Sequence, residues 1–194
     1  EYARIKGPSK ETRKIACQDP SYAYSYAIKI DMSPRGDTRK AACKDMYFAC
    51  SYAEHVDKKP RNDTRKIACK DCKNAFYYAQ NIEKGPHEDT RKAACKDPYF
   101  AYKYALEIDR CPREDTREAA CKEAHFAYWY AKEVDKGPTE NTRKTVCGVP
   151  RYAYSYALNI DKNFHEDTYN AVLGTVYEKR YKEFINNQIK EEVI

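Results

Sequence analysis

Apolar side chains return along this chain on two scales. Locally they recur every three to four residues, the mark of an amphipathic helix. Over the whole chain the pattern itself returns every 26 residues. A Thr preceded by Asp, Glu or Asn stands at Thr12, Thr38, Thr64, Thr90, Thr116, Thr142 and Thr168, with no insertion or deletion between them. Six full units therefore run from Thr12 to Asp167. The fourth, Thr90 to Asp115, reads TRKAACKDPYFAYKYALEIDRCPRED.

Each unit carries two helix signals. Asp89-Thr90 stands before a run of good helix formers, so one of the two is expected to cap a short first helix that ends near Lys96. Asp97-Pro98 supplies a capping Asp and a Pro at the first helical position. The second helix should run through Asp109 and stop at Arg110-Cys111-Pro112, as it should at Lys84-Gly85-Pro86 and Lys136-Gly137-Pro138. No segment alternates with the period of two that a strand requires. On the second helix Ala101, Tyr104, Ala105 and Ile108 share one face, and the same residue types, with Val in place of Ile in two units, hold those positions in all six. The first helix offers Arg91, Ala94 and Cys95 on one face. Neither helix buries enough alone, so the units must stack. The expected fold is all-α: a right-handed α-solenoid of six 26-residue helix-turn-helix repeats with a C-terminal capping helix.

The ends depart from the unit. Residues 1–11, with Tyr2-Ala3 and Lys6-Gly7-Pro8, resemble a partial repeat acting as an N-terminal cap, residues 12–167 form the array, and residues 168–194 cap it. Beyond Thr168, Tyr177, Tyr181, Phe184, Ile185 and Ile189 fall on one helical face, opposite Glu178, Lys179, Lys182, Asn186, Asn187 and Lys190. That division suits a terminal cap. The first residue is not Met, so an array trimmed upstream of a further domain is expected.

Composition narrows the function classes. The 194 residues hold 36 Lys plus Arg against 30 Asp plus Glu, a formal net charge of +6. No apolar run approaches the roughly 20 residues that cross a bilayer, and no signal peptide opens the chain. A cytoplasmic location is expected, and nine Cys, an odd number, fit a reducing compartment better than a disulfide framework. Cys17, Cys43, Cys69, Cys95, Cys121 and Cys147 recur once per unit and read as a ladder of small buried thiols. Cys50, Cys72 and Cys111 are scattered, and Cys69 and Cys72 straddle the break at Asp71. The four His show no metal spacing, and no Gly-rich phosphate loop is present. No metal, no cofactor, no catalytic residue and no enzymatic activity are expected.

Three repeated surfaces invite binding. Arg13, Arg39, Arg65, Arg91, Arg117 and Arg143 recur with an acid at Asp31, Asp57, Glu83, Asp109, Asp135 and Asp161. Arg–carboxylate pairs tying one unit to the next are expected from them, with an anionic ligand held between Arg residues as the alternative. Lys14, Lys40, Lys44, Lys66, Lys70, Lys92, Lys96, Lys122 and Lys144 fall on the first helix's outer flank. They make either a solvated face or a nucleic-acid-binding ridge, with Lys40, Lys44, Lys66, Lys70, Lys92 and Lys96 as its core. The outward side of the second helix varies from unit to unit, which is how repeat proteins build binding surfaces. It presents Tyr47, Tyr77, Tyr99, Lys103, His125, Trp129 and Arg151 as candidate partner contacts, with Trp129 the foremost as a lone exposed Trp.

The unit, DTRKAACKDP followed by YFAYKYALEID, resembles the tyrosine-rich short helical repeats of tailed-phage and other viral or bacterial proteins. More loosely it resembles the HEAT and tetratricopeptide α-solenoids, whose units are longer. The resemblance implies a helical array and a viral origin. The sixth unit departs from the pattern, with Val149 at the capping Asp position and Phe164 at the loop Pro position. The expected function is a non-enzymatic scaffold that binds a protein partner, a phage factor acting on a host protein. A nucleic-acid-binding solenoid is the alternative, and no membrane association is expected.

Overall fold

In the computed structural model, which describes residues 7–192 and their side chains as far as 188, fourteen α-helices are joined by short turns. The first helices of successive units are α1 (Lys10–Ala16), α3 (Gly36–Ala42), α5 (Asn62–Ala68), α7 (Glu88–Ala94), α9 (Glu114–Ala120), α11 (Glu140–Val146) and α13 (Glu166–Val172). The second helices are α2 (Pro20–Tyr26), α4 (Met46–Tyr52), α6 (Cys72–Tyr78), α8 (Pro98–Tyr104), α10 (Ala124–Trp129) and α12 (Pro150–Tyr156), and α14 (Glu178–Glu192) follows α13. Among the described residues there is no strand. The chain is an all-α array of repeating helix pairs, gathered into two compact units, Glu1–Ala94 and Cys95–Ile194. Tyr2, Ala3, Lys6 and the side chains of Ile189 and Lys190 lie outside the described residues.

The capping Asp of the second helix behaves as its chemistry requires. Asp45 accepts from the Phe48 amide at 3.1 Å and Asp71 from the Asn74 amide at 2.9 Å, satisfying donors that the first turn leaves orphaned. Val149 has no such side chain, and α12 begins uncapped.

The first helix starts earlier than expected. Its N-cap is Arg35, Arg61 or Arg113 in those units, so the Asp-Thr pair falls inside the first turn rather than at the cap. Thr38, Thr64, Thr116 and Thr142 are fully buried there. Each meets a buried Tyr of its own unit, with Thr38 Oγ1 2.8 Å from Tyr52 Oη. The Arg35 amide donates to the same hydroxyl at 2.9 Å, and Thr38 Oγ1 donates to the Arg35 carbonyl at 3.2 Å. With Tyr52 donating to Thr38, one closed ring of three hydrogen bonds satisfies every polar atom. Tyr78–Thr64, Tyr130–Thr116 and Tyr156–Thr142 repeat it at 2.8, 2.8 and 2.7 Å. A buried hydroxyl left without a partner costs about 1–3 kcal/mol, which is why the Thr and the Tyr recur together.

The second helix also differs from a plain α-helix. After seven residues α4 widens into a π-helix over Ala53–Asp57, in the fifth unit the π-helix runs over Tyr130–Asp135, and the same widening happens over Ala27–Asp31, Ala79–Glu83, Ala105–Asp109 and Ala157–Asp161. In the last, the Lys162 amide reaches back five residues to the Ala157 carbonyl at 2.8 Å. The residue after each π turn is left-handed without being glycine: Met32, Lys58, Lys84, Arg110, Lys136 and Lys162 have φ between 48° and 56°. Five of the six are cations at the negative end of a helix, where their charge is favourable.

Within each unit of packing the layers repeat. Ala27, Ala42, Tyr52 and Val56 form one apolar layer, and Ala53, Ala68, Tyr78 and Ile82 the next. In the second compact unit Ala105, Ala120, Tyr130 and Val134 are their counterparts. Ala beside the Tyr lets consecutive helices approach closely, and the ring fills the space between them. The C-terminal helix inserts Tyr181 at the Tyr position, 2.8 Å from Thr168 Oγ1, and packs Tyr177 and Ile185 beside it. Lys179, Lys182, Asn186 and Asn187 face outward, as a cap requires.

Two repeated columns sit elsewhere than expected. The Arg–carboxylate pairs close within one unit, not between units: Arg13–Asp31 at 2.6 Å, Arg117–Asp135 at 2.7 Å and Arg143–Asp161 at 2.7 Å. The π turn swings the acid back over its own first helix. Arg39 reaches further, from Asp57 at 2.8 Å to Asp63 at 3.0 Å, and Arg117 also pairs with Glu114 of the preceding unit at 2.6 Å. The recurring Cys are half-buried rather than buried, because each caps the end of a first helix where the chain turns. Burial pushes the thiols of Cys43, Cys50, Cys121 and Cys147 up to about 11.

Candidate functional site

Helices α8, α10 and α12 of the second compact unit bring four of the candidate contacts into one patch: Tyr99, His125, Trp129 and Arg151. His125 is its centre. Its ring lies 4.9 Å from Phe126, 5.7 Å from Tyr152 and 6.4 Å from Trp129, all edge to face. Tyr99 joins through Phe126 at 5.8 Å, and Trp129 packs on Tyr128 at 5.4 Å. Tyr128 in turn lies 6.2 Å from Tyr152, so rings from three successive repeats make one connected surface.

Cations lie on this surface rather than around it. The Lys132 ammonium sits 4.9 Å from the centre of the Trp129 ring, and the Arg151 guanidinium 4.6 Å from that of Tyr152. Arg151 also donates to Tyr152 Oη at 2.6 Å, and that oxygen lies 2.8 Å from His125 Nδ1. A donor must sit on one side of the last contact. With Arg151 donating to the tyrosine, Tyr152 is free to donate on to His125 Nδ1, and the chain Arg151 to Tyr152 to His125 holds all three side chains in place.

Trp129 is half-buried, not the exposed Trp that its position suggested, because Tyr128, His125 and Lys132 pack on it. Lys103 forms an ion pair with Glu107 one turn along its own helix. Tyr47 and Tyr77 belong to the first compact unit, where they are 70% and 44% exposed and pack on Phe48 and Phe76 beside them. Phe126, Tyr128 and Tyr152, which connect the patch, escaped the sequence reading, which took only the most outward positions. Aromatic residues at their positions in most units (Tyr22, Phe48, Phe100; Tyr24, Phe76, Tyr102, Tyr154) are the signal that would have found them.

The lysines fall differently. Lys40, Lys66 and Lys92 stand on α3, α5 and α7 of the first compact unit, all exposed. Lys44 and Lys70 are exposed in the turns that follow, because the first helices end at Ala42 and Ala68, two residues short of them. Lys96 is exposed in the second compact unit, where Glu118 and Gly148 interrupt the series. Among the described residues no group of three or more His, Cys, Asp or Glu converges as a metal site would, and no helix is long and apolar enough to cross a membrane. Comparison with protein-family models, with curated proteins and with solved structures finds no match for this chain.

Proposed function

We propose that this chain is a non-enzymatic helical-repeat scaffold that binds a protein partner through the outward face of its second helices. The contact surface is the patch of Tyr99, His125, Trp129 and Arg151 on α8, α10 and α12. One observation carries this reading: aromatic rings from three consecutive repeats are in contact with one another, with Lys132 and Arg151 stacked on them. Trp, Tyr and Arg are the residue types that dominate binding energy at protein interfaces. Side chains already held by neighbouring rings lose less freedom when a partner arrives. The resemblance to phage and bacterial arrays makes a host-cell protein the partner class to test first, and nine free thiols suit a reducing cytoplasm.

The test is affinity capture from host-cell lysate after nuclease treatment, with the native chain and with Trp129→Ala plus Tyr99→Ala. A stoichiometric protein retained by the first and lost by the second, at equal helicity by circular dichroism, supports the reading. A protein retained equally by both places the interface elsewhere.

A further inference from the structure

The excess positive charge lies in the compact unit that does not hold the aromatic patch. Residues 1–94 hold 20 Lys plus Arg against 13 Asp plus Glu, and residues 95–194 hold 16 against 17. The net charge of +6 is therefore +7 in the first compact unit and −1 in the second. Charge so divided between two halves points to a polyanion on one of them.

Within the first unit three of the recurring arginines are already paired: Arg13, Arg39 and Arg65 donate to Asp31, Asp57 and Glu83. The lysines are not. Lys14, Lys40, Lys44, Lys66, Lys70 and Lys92 are all exposed, and none forms an ion pair among the described residues. Each first helix supplies one of them at the same place in its turn, so the charges are registered by the repeat. On the same helix face the neighbours three residues back are the exposed acids Glu11, Asp37, Asp63 and Asp89, and those four residues on are Gln18, Lys44, Lys70 and Lys96, with no aromatic ring among them. Such a surface offers charge without a plane for an unpaired base, whereas single-strand binders depend on base stacking. A duplex keeps its bases stacked inside and presents one negative charge per about 1.7 Å of axis.

We propose that the exposed lysines of the first, second, third and fourth first helices, Lys14 to Lys92, form a docking ridge for the phosphate backbone of a nucleic-acid duplex, bound without sequence preference. The ridge uses no residue of the aromatic patch and stands independently of the partner assigned to it.

Fluorescence anisotropy of the full chain with a labelled duplex of about 30 base pairs tests this. The native chain should bind at about 50 mM salt, with affinity falling steeply and linearly on a log–log scale as salt rises. Lys40→Glu with Lys66→Glu and Lys92→Glu should weaken binding by about 100-fold or more. The milder Lys40→Gln, Lys66→Gln, Lys92→Gln variant, made only at exposed positions, should lower the salt slope by about 3. Trp129→Ala should bind as the native chain does. The proposal is overturned by absence of binding at low salt, or by unchanged affinity in the charge-reversed chain with its helicity intact. It is equally overturned if poly-glutamate of matched charge, or a single strand of matched length, competes as well as the duplex.

Discussion

Tyr52 in the first compact unit and Tyr130 in the second close the same ring of three hydrogen bonds: each accepts from the amide of an Arg and donates to a Thr hydroxyl 2.8 Å away, which donates to the carbonyl of that Arg. Their apolar layers match residue for residue. The surfaces above those layers do not. The first unit carries exposed lysines on its first helices and a net charge of +7, while the second carries Glu118 in that series and a net charge of −1; rings connect across repeats in both, through Tyr24 and Phe48 in the first and around His125 in the second. A repeat whose interior is fixed at a few positions leaves its outward positions free to diverge, and here the two halves have diverged in charge.

The largest effects should come from the shared interior, and should be equal in the two units. Tyr52→Ala and Tyr130→Ala each remove a buried ring and leave the Arg35 or Arg113 amide without its acceptor, a loss of about 3–5 kcal/mol. Thermal melts of the two variants should shift alike. A shift confined to one of them would show that the interiors differ after all.

Alkaline pH should act on both units through the same window. Buried Tyr52, Tyr78, Tyr130 and Tyr156 have phenols raised above their usual value by desolvation, and four half-buried thiols are held near 11. In the unfolded chain such thiols titrate near about 8.5 and phenols near about 10. The unfolded chain therefore releases protons first, so stability is complete below about 8.5 and falls as pH rises toward about 11. The last part of the phenolate absorbance should appear together with loss of helical circular dichroism. Complete phenolate formation, buried tyrosines included, in a fully helical protein would contradict the buried locks.

The smallest effects distinguish positions within the repeat. Val149→Asp should stabilise the sixth unit by about 1 kcal/mol by restoring the cap that α12 lacks, and Asp45→Ala should cost about the same. Lys136→Gly should add about 0.5–1 kcal/mol, because glycine adopts the left-handed conformation without a Cβ clash. Chemical denaturation of each variant reads these changes, and a destabilised Lys136→Gly would show that the cation at the helix end outweighs the strain.

The sequence placed the interior of the second helix correctly because period and burial are the same fact: Ala101, Tyr104, Ala105 and Ile108 share a face and are buried. It misplaced Thr38 and its equivalents because an Asp-Thr pair is a capping signal locally, while the hydroxyl's partner lies fourteen residues on. The π turns were illegible, since a helix of constant period gives no sign of one extra residue per turn. At the candidate site, Tyr99, His125, Trp129 and Arg151 were legible one by one, but their connection through Phe126 and Tyr152 depends on how neighbouring repeats pack.

The closed ring of Thr, Tyr and backbone has a consequence for how such a chain changes length. Every hydrogen bond in it begins and ends inside one 26-residue period or at the residue that caps it, and what crosses to the next period is mainly a layer of Ala, Tyr and Val or Ile. Removing one whole period, such as Thr38 to Asp63, would bring two equivalent apolar faces together and leave no polar atom orphaned. Removing half a period would strand a Tyr hydroxyl without its Thr. Copy number is then the variable this architecture leaves open, while the phase of the repeat is held by chemistry.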